Sequence, residues 1–364
     1  MNNVDSMVET GFLSAEDISH LESIVGKAHE DWFKSVYIYI TEKCQLHCKH
    51  CYLGTRLKRA ATMPFDQICH NLKIWRALGG SKLCLLGGEP TLHPQFEDVV
   101  RYSIDLGYEK VTMDTNGLQM AAKKLSAFDS SDITFIRVSL DGGSPETHEW
   151  IRGKGTFETV VNTIRGLCDK GFDTRIICTV NKMNMKDCLD ILPLADDLGV
   201  NTVKYHIFSG VGNGKDIAQW VLTPYEWVEF TSLLLEQKGE YNTNIVYQTA
   251  YADEELGKWY HTEGYEGCVG KYLDRVSIFP DNKVYVCCYL FDTDMNFADM
   301  SNGKVEIRKE FNELNLFMER DDGHCAFDEL CAGGCPAEKI VRGSLPCRTY
   351  PDTFPICRLW KTEV

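Results

Sequence analysis

Six strand patterns alternate with helical patterns between residues 35 and 208, and this alternation constrains the fold more than any other feature of the sequence. The first strand pattern, SVYIYIT at 35–41, is rich in β-branched and aromatic residues, as strands usually are. The other predicted strands are 82–88, 110–117, 135–142, 175–180 and 202–208, and the predicted helices are 66–78, 96–106, 156–169 and 186–198. Strands that alternate with helices form parallel sheets with right-handed connections. We therefore predict an α/β fold whose active site lies in loops at the carboxyl ends of the strands.

The segments that flank this α/β unit differ from it in pattern. Residues 14–33 have the apolar spacing of one amphipathic helix, and Thr223-Pro224-Tyr225-Glu226 has the residues of a helix start with a capping box. After about residue 261 the sequence becomes irregular and rich in Cys, Gly and Pro, which indicates a domain whose core is partly inorganic. The predicted divisions are an N-terminal helical segment (1–34), the α/β unit (35–215), a helical bridge (216–260) and a cysteine-rich domain (261–364).

The charge balance excludes several classes of partner. With 38 basic and 53 acidic residues the net charge is −15, so we expect no nucleic-acid partner, because such partners usually require a basic face. The local basic cluster of Arg56, Lys58 and Arg59 is interpreted as a solvated loop. No apolar run approaches the roughly 20 residues that span a bilayer, and the N-terminus lacks the regions of a signal peptide. We therefore expect a cytoplasmic protein with no membrane partner.

Sixteen cysteines are the outlying number in the composition. Cytosolic thiols stay reduced, so metal or cluster ligation is a better expectation than disulfides. Two groups stand out: Cys44, Cys48 and Cys51 follow the first strand, and eight more lie between Cys268 and Cys357. The remaining five are interpreted as small buried apolar residues: Cys69, Cys84, Cys168, Cys178 and Cys188.

The first group can hold an iron–sulfur cluster. Three thiolates on one short loop can bind three irons of a [4Fe–4S] cluster and leave the fourth iron open for another ligand. The alternative is a zinc site in which His47 or His50 joins the three cysteines.

Several motifs in order along the chain resemble those of one enzyme family. Cys44-x3-Cys48-x2-Cys51 followed by Tyr52, on the loop after the first strand, is similar to the signature of radical S-adenosylmethionine (SAM) enzymes. Matches follow at later strand ends in the order in which that family shows them: Gly87-Gly88-Glu89-Pro90, Thr115-Asn116-Gly117, Ser139-Leu140-Asp141-Gly142 and Arg152-Gly153-Lys154-Gly155-Thr156-Phe157. The resemblance covers roughly residues 35 to 210 and implies a partial (β/α)6 TIM-like barrel.

The same resemblance implies a SAM site and a first chemical step. Gly87, Gly88, Glu89 and Pro90 look like the motif that binds the methionine amino group, with Glu89 or a nearby carbonyl as the acceptor. Ser139 and Arg152 would hold the SAM carboxylate, and Asn116 would lie near the ribose or the substrate. The reduced cluster would split SAM into methionine and a 5′-deoxyadenosyl radical that abstracts hydrogen from the substrate.

The C-terminal cysteines resemble the SPASM extension of radical SAM enzymes, which usually holds two auxiliary [4Fe–4S] clusters. The resemblance implies Cys268, Cys287 and Cys335 as ligands of the nearer cluster and Cys325, Cys331 and Cys357 as ligands of the outer one. Two positions depart from the pattern. Asn282 replaces a glycine, which we expect to be mild because Asn tolerates a left-handed turn. Asp322 replaces a cysteine, so either Asp322 or Cys347 would complete the outer cluster, or that cluster lacks a fourth protein ligand.

Two further alternatives apply to this region. It could hold only a zinc ribbon, although ribbons favour CxxC pairs and this segment has none. The nearer cluster has three convincing ligands, and the adjacent Cys288 is not an obvious fourth. Its fourth iron is therefore either open to the substrate or bound by a ligand that the pattern does not identify. No general base is assigned, and Tyr289, Asp274 and His324 are interpreted as structural residues.

The substrate implied by the resemblance is a ribosomally made peptide or protein, with a flavodoxin or ferredoxin as reductant. Only 34 residues precede the first strand, so we expect a separate partner protein to bind any leader peptide. The first alternative is a small-molecule dehydrogenase or biosynthetic enzyme. The second is a non-catalytic cluster or zinc scaffold, which would not need the ordered SAM motifs.

Overall fold

The computed structural model describes residues 9–25, 32–248, 273–291, 293–301 and 303–308, together with positions 337 and 341. Eight α-helices lie in these ranges: α1 Ala15–Val25, α2 Phe65–Ala77, α3 Phe96–Asp105, α4 Gln119–Leu125, α5 Pro145–Arg152, α6 Phe157–Asp169, α7 Ile191–Asp197 and α8 Pro224–Glu236. Eleven strands lie there as well: β1 Ser35–Thr41, β2 Lys82–Gly87, β3 Lys110–Thr115, β4 Phe135–Ser139, β5 Thr174–Val180, β6 Thr202–Ile207, β7 Asn244–Tyr247, β8 Arg275–Ile278, β9 Lys283–Tyr285, β10 Ala298–Ser301 and β11 Lys304–Ile307. No helix in this described part is long and apolar enough to cross a membrane.

All eleven strands form one sheet in the order β11-β10-β9-β8-β1-β2-β3-β4-β5-β6-β7. Each neighbouring pair from β1 to β7 is parallel, so the carboxyl ends of these strands lie along one edge. The six strands predicted from the alternation are all present, which confirms the α/β fold with a parallel sheet. The cysteine loop follows β1, near the middle of the sheet, where loops from both sides can reach it.

The two faces of the parallel strands differ in burial. In β5 and β6 every second residue is fully buried, and these residues pack with the helices, as Ile176, Val203 and Tyr205 do. The residues between them are only half-buried, and we call the side that they share the lumen face. Lys204 on β6 lies close enough to Arg275 on β8 for their charges to interact, although β8 is on the far side of β1 in the strand order. The sheet therefore curls into a partial barrel with its lumen face inside.

The C-terminal strands extend the sheet beyond β1. β8 pairs with β1 in parallel, and β8 to β11 then form antiparallel pairs. Asn282, in the turn between β8 and β9, has a φ of 63°, which confirms the left-handed turn expected for it. Its side-chain Oδ1 accepts a hydrogen bond of 2.6 Å from Gln67 Nε2 of α2, so this turn is joined to the barrel helices.

Two expectations for the flanking segments need correction. The pattern at 14–33 predicts one helix, but the described helix is Ala15–Val25, and Phe33 is non-helical with a φ of 57°. Phe33 instead packs its ring against that of Trp75, with the ring centres 5.1 Å apart. The predicted bridge at 216–260 contains α8 with its capping box as expected, and it also contains the strand β7. The other domain limits stay predictions.

Candidate functional site

The cysteine loop is held in place from several directions. Cys48 is buried, and Cys44 and Cys51 are half-buried. Inside the loop, the Cys51 amide donates to the Cys48 carbonyl at 3.2 Å. From the segment after β6, the Asn213 amide donates to the Cys51 carbonyl at 2.9 Å, and Asn213 Nδ2 donates to the Cys48 carbonyl at 3.1 Å. These bonds hold the loop through its backbone oxygens and do not use the three thiols.

The three cysteines border a cavity that is open to solvent. Eight of the ten residues predicted to bind the first cluster or SAM line it: Cys44, Cys48, Cys51, Gly87, Gly88, Asn116, Ser139 and Arg152. Tyr289, interpreted from the sequence as structural, also lines it.

Glu89 and Pro90 do not line the cavity. The Glu89 carboxylate is buried and accepts hydrogen bonds from Thr91 Oγ1 at 2.7 Å, Thr115 Oγ1 at 2.9 Å and the Asn116 amide at 2.7 Å. Burial raises the pKa of Glu89, while these donors favour its charged form. Glu89 therefore joins the end of β2 to the end of β3. A carbonyl oxygen near Gly87 or Gly88 would instead accept the hydrogen bonds of an ammonium in the cavity.

The two glycines are required by close backbone approach. A Cβ on Gly88 would lie 2.4 Å from the Lys43 carbonyl oxygen, and one on Gly87 would lie 2.5 Å from that of Thr41. The Gly88 amide donates to the Thr41 carbonyl at 2.8 Å. The loop after β2 is thus fitted against the start of the cysteine loop with no space for a side chain.

Asp141 connects three elements around the cavity and was not among the site residues predicted from the sequence. Its buried carboxylate accepts from His50 Nε2 at 2.8 Å, Arg152 Nε at 2.5 Å and the Thr179 amide at 2.8 Å. Burial alone would raise the pKa of Asp141, but the Arg152 charge and the His50 hydrogen bond hold it below its usual range. The signal for both missed residues was present, because Asp141 lies in the SLDG motif and His50 lies between two motif cysteines.

Arg152 lies between this carboxylate and the cysteine loop. Its Nε bonds Asp141, and its Nη1 lies 3.9 Å from Cys48 Sγ. The guanidinium therefore places positive charge beside a sulfur that becomes negative when it binds iron. Its pairing with Asp141 fixes the direction in which the remaining donors point.

The donor set fits an iron–sulfur cluster. Burial raises the pKa of the Cys48 thiol to about 12 and also raises the pKa of Cys44 and Cys51, so metal binding must displace their protons. Among the described residues, no three His, Cys, Asp or Glu side chains are grouped tightly enough for a single metal ion. Thiolates that each bind a different iron of one cluster need no such grouping.

The two histidines of the zinc alternative differ in position. His47 is exposed and does not line the cavity. His50 lines the cavity, where its Nε2 is bonded to Asp141 and its buried Nδ1 has no hydrogen-bond partner among the described residues.

Of the predicted auxiliary-cluster ligands, Cys287 lies in the described part of the chain. It is half-buried, and its hydrogen bond with Cys288 and its burial raise its pKa. Two residues later, Tyr289 packs its ring against that of Tyr52 at 5.5 Å. The turn that begins at Cys287 therefore reaches the cavity. The other predicted ligands lie outside the described residues: Cys268, Asp322, Cys325, Cys331, Cys335, Cys347 and Cys357.

The interpretation of Arg56 as part of a solvated loop is wrong. Its side chain is 1% exposed. Its Nε donates to Glu42 Oε1 at 2.5 Å, and its Nη2 donates to Asp281 Oδ2 at 2.6 Å. Its guanidinium also lies 4.4 Å from the centre of the Phe279 ring. Arg56 thus joins the segment after the cysteine loop to the β8–β9 turn, whereas Arg59 is half exposed as expected.

Comparison with known proteins agrees with this geometry. The Radical SAM superfamily model matches residues 38–195. The AdoMet-dependent heme synthase of Methanosarcina barkeri is 26% identical over 313 residues, which cover 81% of this chain and 88% of the relative. The mycofactocin maturase MftC of Mycobacterium ulcerans is 24% identical over 321 residues, which cover 84% and 83%.

Two solved structures share the fold. The complex of Streptococcus suis SuiB with the precursor peptide SuiA has a TM-score of 0.62 at 15% identity and covers 89% of this chain and 76% of that one. The complex of anSMEcpe with AdoMet and the Cp18Cys peptide has a TM-score of 0.64 at 18% identity and covers 83% and 88%. SAM and a [4Fe–4S] cluster are the cofactors of the matched family. Residues 38–195 of the chain therefore form a radical SAM domain.

Proposed function

We propose that this enzyme binds a [4Fe–4S] cluster on Cys44, Cys48 and Cys51, binds SAM in the adjoining cavity and modifies a ribosomally made peptide or protein. The observation that carries the proposal is the position of three buried or half-buried thiols at the edge of one large cavity at the carboxyl ends of the strands. When bound and reduced, the cluster supplies the electron that splits SAM into methionine and a 5′-deoxyadenosyl radical, which abstracts hydrogen from the substrate.

The protein side chains orient SAM. Arg152, fixed by Asp141, offers donors to the SAM carboxylate together with Ser139, and both residues line the cavity. Carbonyl oxygens near Gly87 and Gly88 accept hydrogen bonds from the SAM ammonium, because the Glu89 carboxylate already accepts hydrogen bonds from Thr91 and Asn116. Asn116 lines the cavity directly after the end of β3, where the ribose or the substrate would lie.

A peptide substrate is supported by two observations. Both structures described above that share the fold contain a bound peptide. In the part of the sheet that the structure describes, β7 and β11 are unpaired edges, so the cavity belongs to an open sheet. An extended peptide needs such an opening, whereas a small molecule is usually enclosed.

A small-molecule substrate is the second candidate, since the heme synthase of M. barkeri matches most of the chain. Under either candidate, Cys287 would ligate an auxiliary cluster near the cavity, and a flavodoxin or ferredoxin would supply electrons. For a peptide substrate, a separate protein would present the leader. The expected location is the cytoplasm.

Deuterium transfer distinguishes the two substrates. Cells of the encoding organism are grown in D2O, and their extract is separated into a peptide fraction and a small-molecule fraction. Each fraction is incubated anaerobically with reconstituted enzyme, SAM and dithionite. Deuterium in 5′-deoxyadenosine that depends on the peptide fraction, and disappears after protease treatment of that fraction, supports the proposal. Deuterium that comes from the small-molecule fraction and survives protease treatment would overturn the peptide assignment.

A further inference from the structure

The lumen face carries basic side chains that the SAM site does not use. Arg137 on β4, Lys204 on β6 and Arg275 on β8 lie on this face, and we call these three residues the basic lumen cluster. Arg137 and Lys204 occupy the half-buried positions of strands whose alternate residues are fully buried. Half-buried charges inside a barrel indicate space that a ligand can enter.

The basic lumen cluster adjoins the cavity. Arg137 Nε donates to Asp114 Oδ1 at 2.5 Å, and Asp114 lines the cavity. Lys204 lies beside Ile177 in the strand register, and Ile177 lines the cavity as well. Arg137 precedes the cavity residue Ser139 by two positions, which places it about 7 Å deeper along the strand.

Like charges lie close together in this region. The charges of Arg137 and Arg275 act to lower the pKa of Lys204, and the charge of Asp114 acts to raise it. No ion pair among the described residues engages Lys204. Burial and the neighbouring Arg137 lower the pKa of Lys204 to about 8. An anion placed here would relieve a repulsion that the folded chain already carries.

His206, two residues after Lys204, adds a polar atom that lacks a hydrogen-bond partner. Its Nε2 is buried and unpartnered. Burial and the charge of Lys204 lower its pKa to about 3, so the ring is neutral at pH 7. In the register it lies beside Thr179, another residue that lines the cavity. It therefore offers a neutral ring nitrogen, as donor or acceptor, without adding charge.

We propose that the basic lumen cluster binds an anionic group of the substrate, a carboxylate in a peptide substrate, and thereby sets which carbon faces the SAM site. The inference rests on the proposed function, since it assigns the depth of the same cavity to the substrate. An anchor about 7 Å below the cavity lining holds the substrate from beneath while SAM is bound above. Substrates with an acidic side chain or a free C-terminus close to the reacting residue are thus selected.

Chemical blocking of the substrate tests the inference without any change to the enzyme. The deuterated fraction that transfers deuterium is divided into untreated, carboxyl-methylated and phosphatase-treated portions. We expect methylation to reduce deuterium transfer at least about tenfold, because charge-assisted hydrogen bonds are lost, and phosphatase to leave it unchanged. Loss after phosphatase alone would identify a phosphate as the bound anion and overturn the carboxylate assignment. Full transfer from the methylated portion would overturn the inference.

Variants of Lys204 test the same point from the protein side. We expect Lys204→Met to raise the KM for the active fraction about tenfold or more, and Lys204→Arg to restore most of the affinity. Lys170→Met, at an exposed lysine, is the control and should match wild type. An unchanged KM in Lys204→Met would contradict the inference. A wild-type enzyme that does not cleave SAM at all would instead overturn the proposed function, so the two failures are distinguishable.

Discussion

Asp141 shows how one buried carboxylate can organise a site that it does not enter. It binds His50 from the cysteine loop, Arg152 from the end of α5 and the Thr179 amide of β5. A loop, a helix end and a strand therefore depend on a single side chain with 0% exposure. Its charge also balances Arg152, which would otherwise be a buried, uncompensated cation next to the cluster site.

Asp141→Asn should lower both stability and SAM affinity. The substitution keeps the shape but removes the charge that pairs with Arg152, and loss of one partner of a buried ion pair costs about 3 kcal/mol or more. Anaerobic urea unfolding of the apoprotein measures the free energy, and equilibrium dialysis of the reconstituted protein measures SAM binding. The control is Asp129→Asn at an exposed position, which should change the free energy by less than about 0.5 kcal/mol. Equal stability of the two variants would contradict the role assigned to Asp141.

His148 makes stability depend on pH. Its buried Nδ1 accepts from the Asp141 amide at 3.2 Å, so the ring must be neutral. Burial, followed by the Arg152 charge, lowers its pKa to about 4 from the usual 6.5. Between these values the unfolded chain binds a proton that the folded chain does not, and the free energy of unfolding therefore falls as the pH drops from about 6.5 to about 4.

The expected fall in the free energy of unfolding is large enough to measure. A pKa shift from 6.5 to about 4 corresponds to about 3 kcal/mol. Apoprotein unfolding at several pH values across this window should show a steeper fall for wild type than for His148→Gln, which lacks the titrating ring. His206 titrates in the same direction with a pKa of about 3 and contributes equally to both proteins. Identical slopes would show that the pKa of His148 is the same in the folded and the unfolded protein, and would contradict the assigned shift.

At the scale of elements, the cysteine loop depends on a segment that follows β6, more than 150 residues later in the chain. A Cβ on Gly212 would lie 2.2 Å from the Tyr52 carbonyl oxygen, and Gly212 has a φ of 62°. The next residue, Asn213, bonds two carbonyls of the loop. The first and sixth strands of the barrel are thus joined at the site itself.

Gly212→Ala should disturb the cysteine loop. The left-handed backbone and the lack of space together predict a loss of more than about 2 kcal/mol and a reduced iron content after reconstitution. Gly166→Ala is the matched control, because Gly166 lies within α6 with open space around it and should gain up to about 1 kcal/mol. Iron content and unfolding free energy are measured for both variants. A Gly212→Ala protein with full iron content would contradict the proposed support of the loop.

The sequence predicts the strands and the motif residues well, because both are local patterns. The alternation of strand and helix patterns identifies the six parallel strands, and eight of the site residues predicted from the motifs line one cavity. It does not predict which polar side chains turn inward. Glu89 lies in a motif but makes its hydrogen bonds within the protein. Arg56 lies in a basic run but is buried against Asp281, 225 residues away. Such pairings depend on tertiary contacts between strand ends that no local pattern encodes.

At the scale of the whole molecule, one curled sheet brings two functions together at different depths. The strand ends carry the thiols and the residues proposed to bind SAM, and the lumen below carries the basic side chains proposed to bind the substrate. The turn at Cys287 reaches the same cavity from the C-terminal strands through Tyr289. The radical site, the substrate anchor and the proposed auxiliary cluster would therefore share one space, which suits electron transfer after hydrogen abstraction.

The central claim is that Cys44, Cys48 and Cys51 hold the cluster that cleaves SAM. The direct test is anaerobic reconstitution with iron and sulfide, followed by iron counting and a SAM cleavage assay with dithionite, for wild type and for the variant with all three cysteines changed to Ala. We predict release of 5′-deoxyadenosine by wild type only, and a loss of about four irons in the variant while any auxiliary clusters remain. Zinc in place of iron, intact SAM with wild type, or equal cleavage by the variant would contradict the account.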